Sequence, residues 1–437
     1  MTVTEKLNGY GPLAGIKVVE MCTYVAAPAT VRVLSEMGAE VIKIESFAGD
    51  TQRTQGPGFG CELTDTEDPT IDLNNTNKNW VSLNLKDPEG LAIAKKMIGE
   101  ADIFMNNMRT AALKKLGLDY ETLHEEFPGL IWGQMRGYGE FGEFAHAPGY
   151  DAVCWAARGG VAGTFPEKDT SPAIPPPQAF GDYNTAIMMA AGLLGALVNK
   201  LRTGQGDKVV VNLYHSAIWG GSIGLCAQQF GADYPKSRTD VPNPFNNTYK
   251  TADDKWLYIC QPQHNRYYND MMKIIGRDDL VDDPRYATIE NVKANHLQPE
   301  LITILDEGFS KKDLEEWLKI LAEWDVPSQK VFRFTDILKD DEAYANDAIR
   351  KVKYNAFGEH ALPTTPIRFG GYGDPPIILS KPIGYHTAEY LEHYGYTPEQ
   401  IAELEEKGAV KCYHGEEVPD VIFKSERQEK GEAPCNW

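Results

Sequence analysis

The sequence is poor in cysteine and offers no arrangement of cysteines suited to zinc or to a disulfide framework. Seven cysteines are scattered over 437 residues, and no two of them form a Cys-x-x-Cys pair. An odd number of dispersed thiols is typical of reduced cysteines in an intracellular protein. The first residues contain no apolar core of a secretory signal peptide, so we expect a cytoplasmic protein.

Positive charge is also scarce. The chain has 43 lysines and arginines against 63 aspartates and glutamates, which gives a formal net charge of −20. So large a negative excess argues against nucleic acid or an anionic membrane as a partner, although a local basic pocket for a phosphorylated small molecule remains compatible with it.

Motifs for metal and hydrolase chemistry are missing as well. The histidines show no His-Glu-x-x-His or other ligand spacing, so we expect no metal site. Ser216 does not lie in a Gly-x-Ser-x-Gly elbow, which gives a serine hydrolase little support.

Short apolar segments alternate with helical periodicity along the first half of the chain. Residues 16–20 and 40–45 read as strands around a helix over 28–37, and Asp87 followed by Pro88 predicts the start of another helix. The alternation continues to a strand at 209–213. It predicts an α/β fold, Rossmann-like, with a mostly parallel sheet that binds ligands at the carboxyl ends of its strands.

The character of the sequence changes near Asp233. Proline and asparagine residues precede a short strand at 256–260, and charged helices follow, one of them predicted over 311–324 with Ser310 as its cap. We therefore expect a large domain from residues 1–232 and 349–437, and a smaller α+β domain from residues 233–348.

A glycine-rich segment, Gly137 to Gly142, satisfies Gly-x-Gly-x-x-Gly after a predicted strand. Residues 143–149 contain proline and glycine and do not open a helix, so no helix N-terminus is offered to a pyrophosphate. A nicotinamide site is disfavoured, and the segment reads as a wall of an active site.

Asp182 follows a proline-rich approach at 172–177 and precedes a helix rich in alanine and glycine. It lies at or just before the predicted helix N-terminus, and the simplest interpretation is that its side chain caps this helix. The positive end of the helix dipole would then keep the Asp182 carboxyl ionised. Gly181 allows another segment or a ligand to approach the backbone closely. The apolar run is too short to span a bilayer, so we expect a buried core helix.

Several motifs are shared with one family. They are Leu13-Ala14-Gly15, Ala26-Ala27-Pro28, Gly38 to Glu45, Gly49-Asp50, Asn77-Lys78, Leu83 to Lys86, Asn107-Met108-Arg109 and Gly181-Asp182. On these residues the chain resembles the class III CoA-transferases, the family of formyl-CoA and carnitine CoA-transferases. The resemblance implies that Asp182 attacks an acyl-CoA thioester and passes through a mixed anhydride and an aspartyl-CoA thioester. It implies no prosthetic group, with coenzyme A entering as part of the substrate.

The resemblance also implies binding residues. The CoA site would be formed by Val25, Ala26, Ser46, Leu83, Asn84, Leu85, Lys86, Asn107, Met108, Arg109 and Lys115. The active-site wall would be formed by Gly137, Tyr138, Gly139, Pro148, Gly149, Tyr150, Gln263 and His264. Lys86, Arg109 and Lys115 have the chemistry to meet the nucleotide phosphates. Gln261 to His264 stands where relatives carry a glycine-rich loop.

Within the family, the chain most resembles enzymes of anaerobic amino-acid fermentation, on the segments Ala26-Ala27-Pro28, Ala157 to Val161 and Pro242-Asn243-Pro244. Those enzymes transfer CoA from a 2-enoyl-CoA, aryl or branched, to an (R)-2-hydroxy acid such as phenyllactate or 2-hydroxyisocaproate. Family likeness further implies a homodimer of interlocked chains.

Two alternatives stay open. An acyl-CoA racemase of the same fold pairs its aspartate with a histidine in a Gly-His-Asp segment, whereas this chain has Gly149-Tyr150-Asp151. A tyrosine with an ordinary pKa near 10 is a poor base at neutral pH. A catalytically inactive acyl-CoA-binding protein is the other alternative, and the presence of Asp182 argues against it.

Overall fold

The computed structural model describes residues 3, 7, 9–172 and 179–431, and these form two compact units. The first unit comprises Met1–Val161, Pro175–Ser222 and Asp340–Trp437, and the second comprises Ala162–Ile174 and Ile223–Lys339. The chain passes between the units near residues 222 and 339, whereas the sequence predicts these boundaries at 232 and 348. The proline-rich segment at 172–177 lies outside the described residues from residue 173 onward.

A seven-stranded sheet forms the centre of the first unit. Its strands are β1 (Lys17–Met21), β2 (Glu40–Glu45), β3 (Asn79–Leu83), β4 (Ile103–Asn106), β5 (Ile131–Arg136), β6 (Lys208–Asn212) and β12 (Val410–Lys411). Their order across the sheet is β12-β3-β2-β1-β4-β5-β6. Six strands are parallel and β12 pairs antiparallel with β3. The predicted mostly parallel α/β fold is confirmed, and the strand order reverses between β1 and β4.

Helices connect these strands. In chain order they are α1 (Ala26–Glu36), α2 (Pro69–Asn75), α3 (Pro88–Gly99), α4 (Thr110–Leu116), α5 (Tyr120–Glu126), α6 (Val161–Thr164) and α7 (Phe180–Thr203). Helix α6 begins at the last residue of the first unit and continues into the second. The Asp87 side chain accepts from the amides of Glu89 and Gly90 and Pro88 follows it, so the predicted start of α3 is confirmed.

Helix α7 packs on the sheet and against α1. Its buried face carries small and apolar residues such as Ala186, Met189, Ala190 and Leu193. Small side chains allow the two helices to approach closely, as the alanine and glycine content of the segment indicates. The helix has 24 residues and is long and apolar enough to cross a membrane, which corrects the expectation that the run is too short. A core helix of a soluble protein passes the same test, and this one buries one face in the unit's core.

The core of the first unit lies between the sheet and its helices. Val19, Ile42, Phe104 and Ile98 are fully buried there, and Leu391 from the carboxyl-terminal part of the chain joins them. The returning segment contributes the hairpin β10 (Ile349–Tyr354) and β11 (Gly358–Pro363), and the helices α15 (Asp341–Ala345), α16 (Thr387–His393), α17 (Pro398–Glu406) and α18 (Glu426–Glu429).

The second unit has its own sheet and core. Its strands are β7 (Asn246–Lys250), β8 (Trp256–Cys260) and β9 (Ser328–Lys330), in that order and antiparallel. Its helices are α9 (Ser222–Gln228), which starts at the boundary, α10 (His264–Ile274), α11 (Ile289–Ala294), α12 (Gln298–Phe309), α13 (Leu314–Glu323) and α14 (Phe334–Ile337). Helix α8 (Leu213–Gly220) belongs to the first unit.

Candidate active site

A cavity of about 540 Å³ opens at the carboxyl ends of β1, β4 and β5. Parallel α/β sheets bind ligands at this edge, and in particular where the strand order reverses. The lining residues come from the loops after these strands, from a segment at 145–151 and from the first turn of α7. They include Thr23 to Ala26, Asn107 to Ala111, Gln134 to Tyr138, Ala145 to Asp151, Asp182 and Leu213.

The loops that follow β1 and β4 are joined to each other. The backbone amide of Thr23 donates to Oδ1 of Asn107 at 3.1 Å, and Nδ2 of Asn107 donates to the carbonyl of Thr23 at 2.8 Å. Tyr24 has φ +66°, a left-handed conformation that needs support in a residue other than glycine. Its amide donates to Oδ1 of Asp50 at 2.9 Å, which holds the loop in this conformation.

A fully buried group of charges lies beneath the same loop. Nζ of Lys43 is 2.9 Å from Glu20 and 3.0 Å from Asp50, and Nζ of Lys78 is 2.9 Å from Glu20. Burial acts to lower the pKa of both lysines. Glu20 and Asp50 reverse that effect at Lys43, whose pKa lies above its ordinary value, whereas the pKa of Lys78 falls to about 8. Such groups are stable only when every charge has partners.

The loop after β5 forms the opposite wall. Nε2 of Gln134 donates to the carbonyl of Met108, and Nη1 of Arg136 donates to Oγ1 of Thr110 at 3.0 Å. A Cβ atom on Gly137 would lie 2.6 Å from Cα of Gly149, so the two backbone segments touch only because both residues are glycine. No helix follows the glycine-rich segment directly, as the sequence predicts.

Asp182 is the third residue of α7, and the residue before the helix is Ala179. Its half-buried carboxyl faces the cavity. Burial raises the pKa of Asp182 to about 8, and the negative charge of Asp151 adds to the shift. The expectation that the helix N-terminus keeps Asp182 ionised is therefore wrong. The loss of hydration outweighs the helix dipole, whose effect is only about 0.3 to 2 kcal/mol.

The approach of another segment to Gly181 is confirmed. A Cβ atom on Gly181 would lie 2.2 Å from Cγ of Trp155 and 2.3 Å from Oδ1 of Asp151. Trp155 belongs to a π-helical turn over Ala152–Arg158. This contact brings a second carboxyl, that of Asp151, against the first turn of α7.

Comparison with known proteins decides the family. Residues 13–387 match the model of CoA-transferase family III. The chain belongs to this family. It is 42% identical to the cinnamoyl-CoA:phenyllactate CoA-transferase of Clostridium sporogenes over 91% of this chain and 97% of that protein. It is 38% identical to the (R)-2-hydroxy-4-methylpentanoate CoA-transferase of Clostridioides difficile over 91% of this chain and 99% of that protein. The chain is therefore a CoA-transferase.

Solved structures agree on the fold. A CaiB/BaiF family protein from Brucella suis aligns with a TM-score of 0.71 at 26% identity, over 88% of this chain and 99% of that chain. A Mycobacterium tuberculosis protein aligns with a TM-score of 0.74 at 24% identity, over 87% of this chain and 99% of that chain, which shows the shared fold alone.

Part of the CoA site implied by the resemblance lies at the cavity of this family III CoA-transferase. Val25 and Ala26 follow β1, and Asn107, Met108 and Arg109 follow β4. Of the implied wall, Gly137, Tyr138, Pro148, Gly149 and Tyr150 line the cavity.

Other implied CoA residues lie outside the cavity lining. Ser46 follows β2, and Leu83 to Lys86 end β3 and turn into α3. The amide of Asn84 donates to the carbonyl of Ala409, and Oγ of Ser82 donates to the carbonyl of Ser46 at 3.3 Å. These residues share the sheet edge on which the cavity opens, because β1, β2 and β3 are parallel. Lys115 is exposed on α4, and Gly139 is not among the lining residues.

Gln263 and His264 belong to the second unit. Gln263 is exposed, whereas His264 is buried with its ring stacked 4.4 Å from that of Phe245 and its Nε2 2.7 Å from the carbonyl of Tyr286. Burial lowers the pKa of His264. Its side chain thus contributes to the core of that unit.

Twelve lining residues were missed from the sequence, among them Tyr24, Arg136 and Asp151. Tyr24 and Arg136 follow or end parallel strands, a position that could have identified them. Asp151 lies in the segment Gly149-Tyr150-Asp151, but its contact with α7 depends on the tertiary structure and has no signal in the local sequence. Among the described residues, no group of three or more His, Cys, Asp or Glu side chains could hold a metal ion.

Proposed function

We propose that this CoA-transferase moves CoA from a 2-enoyl-CoA, aryl or branched, to an (R)-2-hydroxy carboxylic acid, with Asp182 as the nucleophile. The observation that carries the proposal is the carboxyl of Asp182 in a cavity at the carboxyl ends of β1, β4 and β5. The names of two relatives at 42% and 38% identity, which act on phenyllactate and on 2-hydroxy-4-methylpentanoate, support the choice of acceptor.

The proposed reaction has four balanced steps. The Asp182 carboxylate attacks the thioester carbonyl, the C–S bond breaks, and CoA thiolate leaves a mixed anhydride. The thiolate then attacks the aspartyl carbonyl, which releases the donor acid and forms an aspartyl-CoA thioester. The acceptor carboxylate attacks that thioester and gives a second anhydride and thiolate, and the thiolate finally takes the acceptor acyl group. No step consumes water or a net proton, and the exchange between activated carboxyl groups runs nearly level in free energy.

The sheet edge supplies a path for the rest of the CoA molecule. Arg109 stands at the start of α4 beside the cavity, where its guanidinium can bind phosphate oxygens in a bidentate manner. Ser46 and the turn at 84–86 continue along the same edge. We propose that the nucleotide extends in this direction while the thioester enters the cavity.

The experiment is to trap the enzyme-bound intermediates. The enzyme is incubated with cinnamoyl-CoA and hydroxylamine without an acceptor acid, and modified peptides are mapped by mass spectrometry. A hydroxamate on Asp182 is the expected result. Unmodified Asp182 in protein that binds CoA would overturn the nucleophile assignment.

The variant that tests the same nucleophile assignment is Asp182→Asn. It should lose transferase activity on the order of 10⁴-fold or more, since removal of a nucleophile abolishes the covalent route. Fresh protein must be checked for deamidation at position 182, which would restore the aspartate. Transfer rates with (R)-phenyllactate and with (R)-2-hydroxyisocaproate, each tested with cinnamoyl-CoA and with a branched 2-enoyl-CoA, then identify the preferred acid pair.

We also propose a cytoplasmic homodimer that serves amino-acid fermentation. Val198, Leu201 and Trp219 are large apolar residues exposed on α7 and α8 of the first unit, and such surfaces commonly bind another chain. Light scattering coupled to size-exclusion chromatography would give twice the monomer mass. A monomer at micromolar concentration would exclude the dimer.

A further inference from the structure

Arg136 is the last residue of β5, and its half-buried side chain lines the cavity that contains Asp182. Its three hydrogen-bond partners are all uncharged. Nη1 donates to Oγ1 of Thr110 and to Oε1 of Gln134, each at 3.0 Å, and Nη2 donates to the carbonyl of Ala145. Within the described parts of the chain, no carboxylate forms an ion pair with this guanidinium. A partly desolvated cation gains most from an anionic partner, so Arg136 is suited to bind an anionic ligand in the cavity.

The hydrogen bonds fix the guanidinium and leave part of it available. Gln134 is 2% exposed, and its Nε2 donates to the carbonyl of Met108 at 2.9 Å, so its Oε1 is turned towards Arg136. A guanidinium has five N–H donors, of which the three hydrogen bonds use three. Nε donates to no atom of the described residues, although it is not fully buried. Two donors remain, one on Nε and one on Nη2, as many as the two oxygens of a carboxylate require.

One chain segment connects Arg136 with the first turn of α7. The segment begins at Ala145, whose carbonyl accepts from Arg136, and ends at Asp151. A Cβ atom on Gly181 would lie 2.3 Å from Oδ1 of Asp151, so the end of this segment touches the residue before Asp182. The fold therefore places the guanidinium and the candidate nucleophile in the walls of one cavity.

The proposed reaction brings free carboxylates into this cavity. The donor acid leaves and the acceptor acid enters as an anion, and Asp151 and Asp182 already supply two carboxyl groups. Among the described lining residues, the strongly basic side chains are those of Arg109 and Arg136. Arg109 is exposed at the start of α4, which suits the phosphates of an entering CoA. Arg136 is held in place, which suits a small acid that must be aligned with the reacting carbonyl.

We propose that Arg136 binds the free carboxylate of the acid substrates, an assignment that rests on the proposed function. One carboxylate oxygen of the acceptor accepts from Arg136 while the other attacks the aspartyl-CoA carbonyl, and the donor acid occupies the same place as it leaves. An acyl-CoA has no free carboxylate. Arg136 therefore distinguishes an acid from the thioester of the same acyl group, and it determines the specificity for the acid.

The test is equilibrium binding of (R)-phenyllactate and of its neutral amide, (R)-phenyllactamide, to wild type and to Arg136→Gln. Both proteins are saturated with free CoA, which does not react with an acid in the absence of an activated carboxyl group. Arg136→Gln should bind the acid about 10- to 100-fold more weakly, the effect of losing charge-assisted hydrogen bonds. It should bind the amide and CoA within about threefold of wild type. Titration calorimetry gives the three dissociation constants.

Arg277→Gln is the matched control. Arg277 lies in the second unit, where its side chain is 28% exposed and pairs with Asp279, so this variant should bind all three ligands like wild type. Equal losses of acid and amide affinity in Arg136→Gln would show a merely structural role and overturn the inference. A loss confined to CoA would assign Arg136 to the phosphates and would overturn it as well.

Arg136→Lys tests the same inference with the positive charge retained, and it serves if glutamine impairs folding. A lysine lacks the planar pair of donors of a guanidinium, so the affinity for the acid should fall about three- to tenfold while that for the amide is unchanged. An acid affinity that does not fall relative to the amide affinity would overturn the inference.

Transfer and trapping assays on wild type separate these results from failure of the proposed function. Transfer of CoA to neither (R)-phenyllactate nor (R)-2-hydroxyisocaproate refutes the proposed acceptor class, and a missing Asp182 hydroxamate refutes the nucleophile. Where 2-hydroxyisocaproate is the better acceptor, it and its amide replace the phenyl ligands. Normal transfer and trapping in wild type, together with equal acid and amide losses in Arg136→Gln, refute only the role of Arg136.

Discussion

Nζ of Lys43 lies 3.0 Å from Oδ2 of Asp50, and both side chains are fully buried. The other oxygen of Asp50 accepts from the amide of Tyr24, which lines the cavity in a left-handed conformation. A buried ion pair in the first unit therefore supports the shape of the loop that borders the candidate active site.

Asp50→Ala should destabilise the protein and weaken acyl-CoA binding. Lys43 keeps Glu20 and the carbonyl of Cys22 as partners. The loss in unfolding free energy should therefore be about 2 to 4 kcal/mol, near the lower part of the range for broken buried pairs. We expect KM for the acyl-CoA to rise more than kcat falls, because the loop after β1 loses its support. Urea unfolding and steady-state kinetics measure the two effects.

Asp233→Ala is the matched control for that variant. Its ion pair with Lys168 is exposed, with 69% and 47% of the two side chains accessible. Surface pairs contribute about 0 to 1 kcal/mol, so this variant should resemble wild type. Equal destabilisation by the two substitutions would contradict the role assigned to the buried pair.

Asp182→Asn should stabilise the fold while it removes activity. The folded pKa of about 8 lies above the unfolded value near 3.9, so the native state holds a proton that the unfolded state releases between these pH values. Wild-type stability should therefore fall as pH rises from 4 to 8. The gain from asparagine should be larger at pH 8 than at pH 5, on the order of 2 kcal/mol at pH 8 once partial exposure is discounted. Thermal unfolding at both pH values tests this, and an equal gain at both would refute the raised pKa.

Local sequence patterns predicted most of the architecture. Strand β2 at Glu40–Glu45 and strand β8 at Trp256–Cys260 have the bounds expected from periodicity and turn residues. Apolar alternation and helix caps are local signals, and in these segments the tertiary structure agrees with them.

Helix ends were less certain where two capping residues stand close together. Ser310 was expected to begin a helix over 311–324, but it ends α12, and its hydroxyl donates to the carbonyl of Glu307. Helix α13 begins at Leu314 after Asp313. Serine and aspartate are equally good caps, so the pattern alone does not choose between them.

The electrostatics of the site could not be predicted locally. Asp182 and Asp151 are distant in sequence, and their interaction depends on the approach of the π-helical turn to Gly181. The candidate nucleophile followed from a family resemblance, whereas its ionisation depends on burial that only the fold reveals.

Gly181→Ala should disturb the site by direct overlap. The added Cβ would meet Trp155 and Asp151 at 2.2 and 2.3 Å, so we expect a loss of about 1 to 3 kcal/mol in unfolding free energy. Displacement of the first turn of α7 should lower kcat on the order of 10²-fold.

Gly195→Ala on the same helix controls for that substitution. A Cβ at Gly195 meets nothing within 4 Å, so alanine there should leave activity unchanged and stabilise the helix by about 0.5 to 1 kcal/mol. Similar kinetic losses in both variants would indicate a general effect on α7 and contradict the overlap at Gly181.

Arg109 and Lys115 both belong to the CoA residues implied by the family, but the structure separates them. Both side chains are exposed, but Arg109 lines the cavity, whereas Lys115 lies farther along α4 and is not among the lining residues. Arg109→Met should raise KM for acyl-CoA by about 10- to 100-fold, the effect of losing a charge-assisted hydrogen bond to phosphate, and should make KM less dependent on salt. Lys115→Met should change KM by less than about threefold, because Lys115 does not line the cavity and a charge outside it makes at most a weak, screened contact. Initial rates at low and high ionic strength measure both, and a larger effect at Lys115 would place the phosphates along α4 instead of at the cavity mouth.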